Sequence, residues 1–350
     1  MPHSRCPIAI ASAGGCIDNP HGGKPSLRYN SPIMHKARSQ FVADVQSNRP
    51  MCKDHFRLTL RLADFPPTFP GQFVQIACRK WDLDCSVEHE IAWEAGETVK
   101  VEGLELQGPL SFLRKPFSIA ARSDVAGGVD LDIIHRTVGT GTSWMSGLKA
   151  GDKVNLIGPL GNRFPEPADG QVAIMVGGGV GIPPMIYFAS TLTGRKAVAF
   201  AGALNRDLLP LTITADAPTP GADQFQPHYA IHEFAQHGVP AVVCTDDGSW
   251  GYRGLVTQAL ESYLDAYFVD TPGKAVVYTC GPEAMMRRVA GIAQQRGITC
   301  YVSVERAMAC GMGTCQSCVI KTVSATPDKP WVFKLACTDG PVFESTKLVW

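Results

Sequence analysis

Four cysteines constrain this chain more than any other feature. Cys310, Cys315 and Cys318 stand in the run Cys310-Gly311-Met312-Gly313-Thr314-Cys315-Gln316-Ser317-Cys318, and Cys337 follows. C-x4-C-x2-C with a distant fourth cysteine is the spacing that supplies the thiolates of a 2Fe–2S cluster. Two bridged irons take four thiolates, and the interleaved glycines let the backbone wrap closely with its N–H groups aimed at sulfur. A structural zinc site and ordinary buried cysteines are the alternatives, although zinc sites more often show two short C-x2-C pairs. Any fold must therefore bring residues 310–318 and 337 together. The chain holds 12 cysteines in all. The apolar stretch at residues 8–10 is too short and interrupted for a signal peptide. A cytoplasmic location is expected, where clustered cysteines bind metal or do redox chemistry rather than pair as disulfides.

The remaining sequence falls into segments with different patterns. At about 150 residues per domain, 350 residues suggest two to three domains. Lys plus Arg and Asp plus Glu both number 32, which gives no broad basic field for nucleic acid and no polybasic membrane surface. No apolar run approaches the roughly 20 residues of a membrane span. Residues 1–39 lack periodicity and read as a flexible tail. In residues 40–166, Phe56, Leu58, Leu60 and Leu62 alternate with Arg57, Thr59 and Arg61, the period of a half-buried antiparallel strand. Further strands are expected at 73–78, 129–138 and 153–157, which suggests a small antiparallel barrel or sandwich, with an inserted hairpin or loop near 79–107. In residues 167–300 the pattern changes. Near-continuous apolar runs at 172–176, 197–203, 241–244 and 275–279 alternate with helical patterns at 184–192, 255–268 and 283–295, as in an α/β domain with a parallel sheet. Residues 301–350 form a short cysteine-rich unit.

Several segments outside the cysteines are candidates for chemistry. Gly177, Gly179 and Gly181 lie between a buried strand and a helix, where glycines let a pyrophosphate approach a helix N-terminus; a plain tight turn is the alternative. Cys280-Gly281-Pro282 ends another parallel strand, with Cys280 open to being only a small buried residue. Asp246 and Asp247 end a third. Carboxylates there would accept hydrogen bonds from a ribose 2′-OH and repel a 2′-phosphate, or would cap the turn before Gly248. In the barrel, Lys115-Pro116-Phe117-Ser118, Ile134-His135-Arg136 and Gly139-Thr140-Gly141-Thr142 offer donors to phosphate, though each taken alone is a common turn.

Together these regions resemble the ferredoxin–NADP reductase superfamily, and within it the electron-transfer subunits of type B dihydroorotate dehydrogenase. The resemblance runs over residues 41–344. Its specific stretches include Lys115-Pro116-Phe117-Ser118-Ile119, Gly158-Pro159-Leu160-Gly161-Asn162, Thr245-Asp246-Asp247-Gly248, Ser303-Val304-Glu305-Arg306, and Ala336-Cys337-Thr338-Asp339-Gly340-Pro341. It implies an FAD-binding barrel, an NAD-binding α/β domain and a C-terminal 2Fe–2S unit. By position, Lys115, Pro116, Phe117 and Ser118 would flank the flavin ring and its phosphate. Ile134, His135, Arg136, Gly141 and Thr142 would hold the ribityl and pyrophosphate portions. Gly177, Gly179, Gly181, Asp246, Cys280 and Gly281 would meet NAD, and Cys310, Cys315, Cys318 and Cys337 would ligate iron. The family favours Arg where this chain has Lys115, and Tyr where it has His135; Arg114 is placed to share the phosphate-anchoring role. The resemblance further implies an FMN-containing partner subunit that oxidises dihydroorotate, assembled two copies with two, and a relay from it through the 2Fe–2S cluster and FAD to NAD in pyrimidine biosynthesis. A sibling NAD(P)H-dependent reductase of the sulfite reductase, sulfide dehydrogenase or transhydrogenase type is the alternative. Cys310, where the transhydrogenase type has Asp, favours the pyrimidine branch.

Overall fold

The structure, a computed structural model, describes residues 39–80, 111, 113–214, 221–326 and 328–350. The tail expected over 1–39 and the insert expected near 79–107 lie almost wholly outside the described residues. Among the described residues no helix is long and apolar enough to cross a membrane.

Seven antiparallel strands form the first sheet. They are β1 (Ser39–Cys52), β2 (His55–Leu62), β3 (Phe73–Ile76), β4 (Lys115–Ser118), β5 (Ala121–Val125), β6 (Gly128–Arg136) and β7 (Lys153–Leu160). Their order is β4-β3-β7-β1-β2-β6-β5. The alternation in β2 does what its period requires. Leu58, Leu60 and Leu62 enter a core with Val45, Ile76, Leu131, Ile133 and Leu156. On the other face, Arg57 and Thr59 donate to Asp132 at 2.9 and 2.7 Å, and Arg61 pairs with Asp130. The expected barrel is only partly closed. Strand β4 curls back near β6 but is not hydrogen-bonded to it, so the sheet is a half-barrel. β4 is short, and Pro116 lacks the N–H that a second partner strand would need.

A short helix, α1 (Thr140–Ser146), joins β6 to β7, and the second sheet follows. Its strands are β8 (Val172–Gly178), β9 (Ala197–Ala203), β10 (Ala241–Thr245), β11 (Tyr252–Arg253), β12 (Ala275–Cys280), β13 (Thr299–Ser303) and β16 (Val342–Glu344), in the order β11-β10-β9-β8-β12-β13-β16. Helices α2 (Ile182–Thr191) and α3 (His232–Ala235) pack on one face; α4 (Val256–Tyr267) and α5 (Glu283–Gln295) pack on the other. α2 starts two residues ahead of the expected helix because Pro183 and Pro184 sit in its first turn, where a missing N–H costs nothing.

The sheet is mixed rather than purely parallel, which is a correction to the expected parallel sheet. β16 runs antiparallel to β13, with Val302 opposite Phe343, and it comes from the cysteine-rich end of the chain. That end also carries the hairpin β14 (Val319–Val323) and β15 (Trp331–Leu335). Cys318, Ile320, Ala336 and Cys337 share one apolar core with Phe73 and Leu160 of the first sheet and Val176 and Val302 of the second. Asn162 secures the junction. Its Nδ2 donates to the carbonyls of Asp339 (3.1 Å) and Val342 (2.8 Å), and its Oδ1 accepts from the Val342 N–H at 2.9 Å.

Candidate functional site

The cysteine loop lies between β13 and β14. Gly311 and Gly313 adopt φ of +71° and +93°, which a side chain would resist. The turn they make brings the N–H groups of Met312 and Cys315 to 3.4 Å from the Cys310 Sγ. The Cys315 thiol is exposed, 3.2 Å from the Ser317 hydroxyl. That hydroxyl, with Cys310 adding to it, draws the Cys315 thiol down to about 6. Cys318 and Cys337 are buried beside one another, and burial together with Cys318 pushes the Cys337 thiol up to about 12. The loop thus gathers the four cysteines in one neighbourhood, Cys315 beside Cys310, Cys337 beside Cys318, and Cys310 near enough to act on Cys337. No three His, Cys, Asp or Glu side chains among the described residues are set to hold a single metal ion. Four neighbouring thiols with N–H donors turned onto sulfur fit the ligand set of a two-iron cluster.

The second locus is the edge of the half-barrel, where β4 lies near the end of β6. β4 pairs with β3, setting Ser118 opposite Phe73, Phe117 opposite Val74, Pro116 opposite Gln75 and Lys115 opposite Ile76. Lys115 is exposed; Pro116, Phe117 and Ser118 are half-buried. β6 delivers Ile134, His135 and Arg136. His135 is 1% exposed, stacked on Phe56 at 5.7 Å and edge-on to Phe117 at 6.2 Å. Burial, with His55 adding to it, lowers its pKa to about 4, so it is neutral at pH 7. Among the described residues neither ring nitrogen of His135 has a hydrogen-bond partner, nor has Arg136 Nε, nor either amide atom of Gln75. Unpaired buried polar atoms on both sides of this edge fit a polar cofactor held there.

The loop before α1 closes on the same region. A Cβ on Gly141 would come to 3.2 Å from Cys78 Cβ and from Ser111 Oγ. The Thr142 hydroxyl accepts from the N–H groups of Val138 (2.9 Å) and Gly139 (3.1 Å), which caps α1 at its start. Arg114 turns away from this edge. Its guanidinium donates to the Asn155 side chain and to the backbone carbonyls of Asn155 (3.2 Å) and Gln75 (3.4 Å).

The third locus is the carboxyl edge of the second sheet. The chain order reverses between β8 and β12, and ligands of open α/β sheets bind at that switch point. The glycine loop and the Cys280-Gly281 turn meet there. A Cβ on Gly181 would lie 2.1 Å from the Cys280 carbonyl oxygen, and one on Gly281 3.1 Å from the Gly178 nitrogen. Gly179, at φ +54°, has nothing within 4 Å of its Cβ position and faces open space. The Cys280 thiol, pushed up to about 12 by burial, stays protonated beside Ser303. Asp246 and Asp247 follow β10, two strands from β8. Asp247 accepts from the Ser249 N–H at 2.9 Å, so its carboxylate caps the turn. Asp246 is exposed, and its pKa is raised by partial burial and by Asp247.

Sequence reasoning missed Gln75, His55 and Asn155. Gln75 carried a signal: a carboxamide within the otherwise apolar, wholly buried strand Phe73–Ile76.

Comparison with known proteins adds a family. The profile of the iron–sulfur cluster binding domain of dihydroorotate dehydrogenase B matches residues 305–349. Proteins named dihydroorotate dehydrogenase B (NAD(+)), electron transfer subunit, are similar over most of the chain. The one from Clostridium perfringens is 32% identical, covering 75% of this chain and 89% of its own. That from Geobacillus kaustophilus is 34% identical, covering 73% and 87%. Among solved structures, one of a NADH-dependent reduced ferredoxin-NADP oxidoreductase superposes with a TM-score of 0.62 at 25% identity, over 88% of this chain and 90% of that one. The ferredoxin reductase of a carbazole 1,9a-dioxygenase shares the fold, with a TM-score of 0.51 at 19% identity over 74% and 66%.

Proposed function

The chain belongs to the family of dihydroorotate dehydrogenase B electron transfer subunits, and from that premise we propose that it relays electrons from a dihydroorotate-oxidising FMN subunit to NAD in pyrimidine biosynthesis. FAD and a 2Fe–2S cluster are its cofactors: the cluster handles one electron at a time, the flavin one or two, and NAD only two. The partner subunits assemble two with two.

The observation that carries this reading is the contact between the two cofactor loci. Gly311 of the cysteine loop packs directly on Gln75, which stands opposite Pro116 of β4. A relay needs its carriers close, and this packing holds the two binding regions side by side without a linker. Cys310, Cys315, Cys318 and Cys337 hold the cluster, and the N–H groups of Met312 and Cys315 stabilise negative charge on the Cys310 sulfur. Lys115, Pro116, Phe117 and Ser118, with Ile134, His135, Arg136, Gly141 and Thr142, hold FAD. Lys115 meets phosphate as a point charge; Gly141 lets the backbone come close. Gly179 leaves the backbone open to NAD at the switch point, while Gly177, Gly181, Cys280 and Gly281 pack the two turns that shape the opening. Asp246, whose carboxylate is not engaged by the turn, selects a ribose hydroxyl over a 2′-phosphate and so NADH over NADPH.

The test is spectroscopic and then functional. Purified protein should show flavin and 2Fe–2S absorption that NADH bleaches. It should reduce artificial acceptors with NADH and leave dihydroorotate untouched until an FMN subunit is added. Oxidation of dihydroorotate by the isolated chain, or failure with every such subunit from its own source, would move the reading to a sibling reductase.

A further inference from the structure

Gln75 is the polar residue of β3 and is 0% exposed. Its neighbours in the strand, Val74 and Ile76, point into the core of the half-barrel, whereas Phe73 points outward into the core shared with the cysteine-rich end. A strand alternates its side chains, so Gln75 points outward too. There it stands opposite Pro116 of β4 and Ile157 of β7, and residues directly opposed in an antiparallel pair share a face. On its far side lies Gly311. A Cβ at that glycine would come to 2.8 Å from the Gln75 Cδ and 2.9 Å from its Nε2, so the carboxamide is wedged between the flavin strand and the cysteine loop. Its backbone is accounted for: the carbonyl accepts from Arg114. Its side chain is not. Among the described residues, neither Oε1 nor Nε2 has a hydrogen-bond partner. A buried carboxamide with both ends unpaired is destabilising by itself.

We propose that Gln75 is a flavin-contacting residue: its carboxamide completes its hydrogen bonds on the polar edge of the FAD ring bound along β4, while its flank seats the Gly311 loop. The inference rests on the flavoprotein reading above and assigns a contact that reading does not contain. The chemistry of the two unpaired ends decides between the two cofactors. Oε1 needs a donor and Nε2 an acceptor. A flavin ring edge offers both, through its imide N–H and carbonyls, whereas cluster and cysteine sulfurs only accept. Gln75 is also a side chain that both loci touch, so it bears on their separation as well as meeting the ring.

The test compares wild type with Gln75→Met, which keeps the shape and removes both polar ends, and with Gln75→Leu as a second apolar variant. FAD affinity is measured by titration of cofactor-free protein. The flavin spectrum and midpoint potential, and the EPR signal of the cluster, are read on loaded protein. Both variants should bind FAD about tenfold more weakly, as expected when hydrogen bonds to a buried partner are lost. The flavin band and potential should shift and the cluster EPR signal should not. Without cofactor the variants should melt no lower than wild type, because an unpaired amide has been removed. Unchanged FAD affinity and spectrum would overturn the proposal. So would a change confined to the EPR signal, which would put the amide on the sulfur side, or variants that fail to fold without cofactor, which would make Gln75 structural. A wild type that binds no FAD is a separate result and sinks the flavoprotein reading itself.

Discussion

Arg114 and Lys115 are adjacent cations with different surroundings. Arg114 is turned inward onto Asn155 and the Gln75 carbonyl, whereas Lys115 is exposed on the face that β4 presents. The expectation that they share a phosphate therefore gives way to a division of labour. Lys115→Ala should weaken FAD binding by roughly 10- to 100-fold, the worth of one charge-assisted contact, with the melting temperature unchanged. Arg114→Ala should lower the melting temperature, because it strips donors from buried carbonyls, and FAD affinity should follow only through stability. Losses of FAD affinity exceeding the sum in the double variant would restore the shared role. His135 carries the acid sensitivity of the same face. Its folded pKa lies at about 4, below the usual 6.5 of an unfolded histidine, because burial and neighbouring His55 penalise the imidazolium. Between those values the unfolded chain binds more protons than the folded one, so stability falls as pH drops from about 6.5 towards 4. The loss approaches about 3 kcal/mol when protonation is complete. His135→Phe, which suits the Phe56 and Phe117 rings, should flatten the pH dependence of denaturant unfolding across that window; an unchanged slope would assign the sensitivity to His55.

At the scale of elements, the loop from β8 to α2 separates two kinds of glycine that look alike in sequence. Gly181 has the Cys280 carbonyl 2.1 Å from its Cβ position, whereas Gly179 has nothing within 4 Å. Gly181→Ala should fail to accumulate as folded protein, since backbone would have to move. Gly179→Ala should fold, at a cost of about 1–2 kcal/mol for a side chain at positive φ, and should raise the KM for NADH because the methyl stands on the nucleotide face. If both variants behave alike in thermal melts, the two turns are not packed as described. This contrast marks how far the sequence was legible. Periodicity located β2, β9 and α5 because their apolar spacing is local. The cysteine spacing pointed to residues 310–318 and 337, which the fold brings into one neighbourhood. What periodicity could not show was pairing between distant segments. β16 is three residues long, too short to have a period, and its place in the second sheet goes with long-range contacts of Asn162 and Gly161 to residues 339–342. Nor did any motif flag Arg114 as inward-facing, since its partner Asn155 lies on a different strand.

For the whole molecule, the cysteine-rich end is built into the shared core on one side and presents an unusual surface on the other. In the hairpin β14–β15, Ile320 and Thr322 turn inward, while Val319, Lys321 and Val323 face out. Val323 stands opposite Trp331 and Lys321 opposite Phe333, so one face of the hairpin carries Val319, Val323, Trp331 and Phe333 to solvent. Phe333 is 57% exposed and Met312, in the cysteine loop, 46%. Leu335 joins the two regions, with its Cδ1 3.7 Å from the Cβ position of Gly313. Exposed aromatics at this density seldom serve a lone soluble chain, and aromatic and Met side chains are enriched where partners dock. A single-electron carrier must also lie close to its partner's redox centre, which places the FMN subunit over this face in the proposed relay. Trp331→Asp with Phe333→Asp should therefore leave NADH reduction of artificial acceptors by the isolated chain unchanged, because neither residue touches the flavin or nucleotide loci. The same pair should abolish co-elution with the FMN subunit and lower dihydroorotate:NAD activity at least tenfold, with the deficit shrinking as subunit concentration rises, as a weakened association requires. If the complex forms normally and only the rate between the subunits drops, the hairpin bears on electron transfer rather than docking. If neither changes, the partner sits elsewhere, and the apolar face needs another occupant.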